Sequence, residues 1–145
     1  MKIYIDRNPE QKIEGGSIYD NIKSLPSFEG KNCHFCLKKY IKENADFNQH
    51  PSISIWYEES NNNWAKFELD LYYVQDLTNE NHGLTPVFAK NSDYALQDFM
   101  NQIDCYEFMN MPNDVFWVYS HDLSYGDRYF VDLKTEFKIV RRDLV

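Results

Sequence analysis

The sequence predicts an α+β fold: one domain, residues 1–145, with a mainly antiparallel sheet and two main helices, about 31–44 and 92–109, packed on one face. Three observations lead there. Two segments carry apolar residues at helical spacing, residues 52–74 read as strand, turn and strand, and β-prone runs at 115–120 and 128–133 enclose a polar loop. Strands joined by short turns pair antiparallel, and helices covering one face of such a sheet complete the class.

Residues 1–5 alternate apolar and polar, the period of a strand. Gly15-Gly16 breaks the chain, and Ser17, with Asp20 three residues on, is placed to cap a short helix. Ile18, Ile22 and Leu25 share its apolar face, and Pro26 stops it. In 31–44, Cys33, Cys36, Leu37, Tyr40 and Ile41 fall on one stripe, with Lys38, Lys39 and Lys42 mostly off it.

Residues 52–59 and 64–74 form the expected hairpin, because the asparagines between them tolerate the left-handed turn conformation. In the second strand Ala65, Phe67, Leu69, Leu71 and Tyr73 should face inward, and Lys66, Glu68 and Asp70 outward. Residues 78–84 read as a loop and 86–89 as a short edge strand. Ser92 is the expected cap of the second long helix, whose apolar face includes Phe99, Met100, Ile103 and Tyr106. A last strand is expected near 137–140.

Composition narrows the function classes. Of the 145 residues, 43% are hydrophobic and 17% aromatic, enough for a core that needs no disulfide or metal. No apolar run reaches the ~20 residues of a membrane span, and residues 1–6 lack a signal-peptide core, so a cytoplasmic protein is expected. Charge is unevenly spread: residues 1–42 hold eight basic and five acidic groups, whereas 43–133 hold three basic and sixteen acidic ones. A net charge of −8 repels nucleic acid and anionic membranes and attracts cationic proteins. The same charge also serves solubility.

Cys33-His34-Phe35-Cys36 has the spacing of a metal or redox pair, but a structural zinc site needs a second pair of ligands. His50, His82, Cys105 and His121 are scattered. Both cysteines fit the helix stripe, so buried, reduced, metal-free thiols are expected. His121 and Asp122, with Ser120, Ser124 and Asp127 nearby, are the one arrangement that suggests acid–base chemistry, although such a loop is usually a turn. Asp122, Asp127 and Asp132 do not match a calcium-binding loop, and no phosphate-binding glycine motif is present. Lys23, Lys31, Lys38, Lys39 and Lys42 make a small basic patch, opposed by the acidity of the remainder.

The acidic and aromatic segments are left: Trp56-Tyr57-Glu58-Glu59, Glu68 to Tyr73, and Asp104 to Phe108. The resulting expectation is a non-enzymatic binding or inhibitory protein without cofactor, metal or catalytic residues. Its partner would be a basic protein such as a nuclease toxin, with Glu58, Glu59, Glu68, Asp70 and Tyr72 at the contact. The alternatives are a small enzyme centred on His121 with Asp122 or Asp127, and a structural or accessory component of a phage or bacterial assembly.

Overall fold

The computed structural model describes residues 1–7, 18–61, 63–76, 83–102, 115–132 and 138–142. It shows an α+β fold with a mostly antiparallel sheet, and its contacts cluster into two compact units, Met1–Asp70 and Leu71–Val145. Ser17, His82, Cys105, the expected helical extension 103–109 and the segment from Asp104 to Phe108 lie outside the described residues.

In the first unit, strand β1 (Lys2–Asp6) buries Ile3 and Ile5 on one side. The short helix α1 (Ile18–Lys23) follows, burying Ile22, and the chain turns at Pro26 into β2 (Ser27–Glu29). Strand β1 lies between β2 and β3 (Ser52–Ser60), and β3 pairs with β4 (Asn63–Asp76), giving the order β2-β1-β3-β4 with every register antiparallel. Helix α2 (Cys33–Glu43) starts two residues later than the apolar spacing suggests, because the Asn32 side chain accepts a hydrogen bond from the Phe35 amide and caps it. Cys36, Leu37 and Tyr40 bury its inner face against β1 and β2. A 3-10 turn at Phe47–Gln49 leads into β3. Arg7, just past β1, holds this corner: it donates to Tyr40 Oη at 2.9 Å and pairs with Asp46 at 2.7 Å. That guanidinium keeps the Asp46 carboxyl below the usual carboxylate range.

Strand β4 supplies its later residues to the second unit, where the order is β4-β6-β7-β8, with β6 at Val115–Ser120, β7 at Gly126–Asp132 and β8 at Lys138–Arg142. β5 (Leu84–Ala89) pairs with β4, and helix α3 (Ser92–Gln102) packs on β5 and β6. The core joins Ala95, Leu96, Phe99 and Met100 of the helix to Val74, Phe116, Val118 and Tyr129 of the strands. The rings of Phe99 and Phe116 meet edge to face at 6.1 Å.

Two local expectations are corrected. Asn91, not Ser92, caps α3: its side chain accepts from the Tyr94 amide at 3.0 Å, which leaves the Ser92 hydroxyl for other partners. Along β4 the odd-numbered positions are buried only as far as Leu69 and Leu71; Tyr73 is half-buried and the fully buried residue is Val74, an even one. Among the described residues, no helix is long and apolar enough to cross a membrane.

Candidate functional site

The outward face of the β3–β4 hairpin gathers three of the four acidic residues expected at the contact. Residues directly opposite each other on paired strands project to the same side. The register sets Ser52 opposite Asp70, Ser54 opposite Glu68, Trp56 opposite Lys66 and Glu58 opposite Trp64. β1 extends the face, with Tyr4 opposite Trp56 and Asp6 opposite Ser54. Glu58, Glu68 and Asp70 therefore share a face, and all three are exposed. The Glu68 side chain is 76% exposed and lies 3.8 Å from Lys66 Nζ, a contact too open to neutralise it strongly. Asp70 accepts from Ser52 Oγ at 2.8 Å.

Aromatic residues fill the centre of this face, which is therefore less wet than simple alternation implies. Tyr4 meets Trp64 edge to face at 5.6 Å across β3, Lys66 sits 5.4 Å from the Trp56 ring centroid, and Lys2 sits 5.4 Å from that of Tyr4. Beneath them Ser54 is fully buried, and its hydroxyl and the Trp56 indole N–H make no hydrogen bond among the described residues.

Glu59 and Tyr72 stand apart. The ladder skips from Glu58 to Ser60, so Glu59 occupies a bulge and has no residue opposite. Its carboxylate accepts from the Tyr57 hydroxyl at 3.2 Å, and Tyr57 stacks on Phe67 at 5.7 Å. Burial, followed by the Glu59 bond, pushes the Tyr57 phenol up. Tyr72 belongs to the second unit, opposite Ser120, and is half-buried against the core around Val74. The contact set read from the sequence thus falls into three exposed acids on one face, one acid on the bulge and one packed tyrosine. Sequence reading missed Tyr4 and Trp64; the outward parity of residues 2, 4 and 6 in β1 was the available signal for the first.

The loop between β6 and β7 gives its two aspartates different tasks. Asp122 accepts from Ser120 Oγ at 2.8 Å, Ser124 Oγ at 2.7 Å and the Ser124 amide at 3.1 Å. These three donors hold its carboxyl far below the usual range, so it is an anion tied into its own turn. Leu123 takes the left-handed conformation at φ 62° to close that turn. His121 is exposed. Asp127 is 3% exposed and accepts from Ser92 Oγ and Tyr125 Oη, each at 3.0 Å. Ser92 also meets the Tyr129 hydroxyl at 2.8 Å, and that hydroxyl donates to Asp93. This network fastens the start of α3 to β7, and Ser92 is its hub.

Among the described residues no group of three or more histidine, cysteine or acidic side chains could hold a metal ion. An open depression is lined by Met1, Lys2, Glu29, Gly30 and Lys39, two lysines and one carboxylate among them. Comparison with protein-family models, curated proteins and solved structures finds no match to this chain.

Proposed function

We propose that this chain is a cytoplasmic, acidic binding protein that blocks a basic protein partner, as an immunity protein or antagonist of a nuclease or other nucleic-acid-handling complex in a bacterium or phage. The observation that carries the reading is the β3–β4 face, where exposed Glu58, Glu68 and Asp70 surround Tyr4, Trp56 and Trp64. Large aromatics give an interface its apolar anchors, and surrounding charge sets on-rate and specificity. Nucleases present cationic surfaces to a polyanion, and a face of carboxylates can occupy that surface in the substrate's place. Glu59, on the adjacent bulge, adds to the same field. Tyr72, packed against its own core, is replaced as an anchor by the three aromatics of the face.

The test uses purified cationic nucleases, beginning with any encoded beside the gene. Stoichiometric protein should inhibit the cognate enzyme, and the association rate should fall as salt is raised. Reversing two charges in Glu68→Lys/Asp70→Lys should slow association at least tenfold, with folding intact because exposed substitutions usually change stability by about 0.5 kcal/mol or less. An unchanged rate in that variant, or a partner whose docking surface is acidic, would sink the proposal.

A further inference from the structure

The fold treats the two cysteines of α2 differently, although their sequence pattern does not distinguish them. Cys33 is the first residue of the helix and only half-buried; Cys36, one turn on, is fully buried. Both are thiols, and a spacing of three residues puts them on neighbouring positions of one helix face.

The two positions differ in their surroundings. The first turn of α2 carries no acidic residue. Lys31 and Lys38 bring their ammonium groups to 4.7 and 5.9 Å from the exposed ring of Phe35, which gives the outer side of this helix a basic character. The partial positive charge of a helix N-terminus also favours negative charge in its first turn. Behind it, Cys36 is held as a thiol: burial pushes its titration up, more than Lys39 and the N-terminal amine pull it down. Its sulfur lies 3.6 Å from the Met1 carbonyl oxygen. A half-buried cysteine at a helix start without acidic residues, with a buried thiol one turn behind, has the arrangement of an attacking and a resolving cysteine.

We infer that Cys33 and Cys36 are a reversible redox pair that exchanges with small-molecule disulfides of the glutathione class. The Cys33 thiolate attacks one sulfur of the external disulfide. That sulfur–sulfur bond breaks, one small thiolate leaves and takes up the proton Cys33 released, and a mixed disulfide remains on Cys33. Cys36 then gives up its proton and attacks the Cys33 sulfur, expelling the second small thiol, which carries that proton away. Two protein thiols are oxidised to one disulfide, and one external disulfide is reduced to two thiols. Neighbouring positions on a helix place Cβ atoms about 5–6 Å apart, whereas a disulfide needs about 3.5–4.5 Å. Closure therefore draws in the capped first turn of α2, and reduced glutathione in excess should reopen the bond.

Thiol exchange at α2 is independent of the acidic face. The folded full-length chain is equilibrated with oxidised glutathione, quenched in acid and weighed intact, and the thiols are assigned by peptide mapping. The expected result is a loss of two hydrogens, a Cys33–Cys36 linkage, and full recovery of both thiols in reduced glutathione. Cys36→Ser should stop at a single glutathione adduct on Cys33, and Cys33→Ser should leave Cys36 unmodified. Should a variant fail to fold, mapping of the unaltered chain decides. Thiols that stay reduced in the folded protein, a bond that forms only after denaturation, an adduct confined to Cys105, or stoichiometric zinc in the purified chain would each overturn it.

Discussion

Asp122 and Tyr129 show how single polar groups hold the second unit together. Tyr129 is fully buried, and its hydroxyl is shared between Ser92 and Asp93. Replacing it with Phe keeps the ring and removes the hydroxyl, so Tyr129→Phe should cost about 1–3 kcal/mol, read as a lower urea midpoint. Burial first, and the bond to Asp93 second, push the Tyr129 phenol well above its ordinary value. A raised value means that its contribution is complete below the unfolded tyrosine value of about 10 and fades as pH rises toward the folded one. The alkaline limb of the stability profile should therefore flatten in Tyr129→Phe; an unchanged limb would show that another group controls it. Asp122 behaves in the opposite sense. Its carboxyl is held low by Ser124 and Ser120, so its contribution is present above the ordinary carboxylate range and lost as pH falls through the folded value. Asp122→Ala should speed amide exchange at Ser124 and Tyr125 and leave that of α2 unchanged.

Caps and core packing act at the level of the element. Asn32 and Asn91 each satisfy an amide in the first turn of their helix, Phe35 and Tyr94 respectively. Asn32→Ala should lower stability by about 1 kcal/mol, the usual cost of a lost cap, with Asn32→Ser close to neutral. Asn91-Ser92-Asp93 places three cap-prone residues in a row, and nothing local ranks them. The choice was made by residues 35 and 37 positions away, Asp127 and Tyr129, which take the Ser92 hydroxyl. In the packed cluster, Phe116→Ala should cost about 3–5 kcal/mol, since the space it leaves among Phe99, Val74 and Tyr129 cannot close fully. A loss below about 1 kcal/mol in urea unfolding would contradict that packing.

Charge is a property of the whole molecule. The net charge of −8 belongs to the chain, but its distribution on a face depends on strand register. A shift of one residue in the β3–β4 pairing would send Glu68 and Asp70 inward, so the acidic face exists only in the observed register. Binding of a cationic partner should weaken steeply as salt rises through about 0.15 M, where charges more than about 8 Å apart are screened. The association rate in Glu68→Lys/Asp70→Lys should fall less steeply over the same range, since Glu58 and Glu59 remain.

The sequence by itself determined the class, both long helices and the hairpin, because these are set by short-range periodicity and turn chemistry in residues such as Cys36, Leu37 and Tyr40, or Ile53 and Ile55. It also determined that Glu58, Glu68 and Asp70 would be exposed, since alternation is a local property of a strand. Tertiary structure alone decided that Tyr4 and Trp64 meet across β3, and that Glu59 leaves the ladder. It also turned Tyr72 and Val74 toward the second unit's core, so that burial along β4 changes parity. It separated Cys33 from Cys36 by burial and Asp122 from Asp127 by partners. Each of these depends on which distant strand or helix lies opposite a given residue, and periodicity within a segment carries no information about its neighbour across the fold.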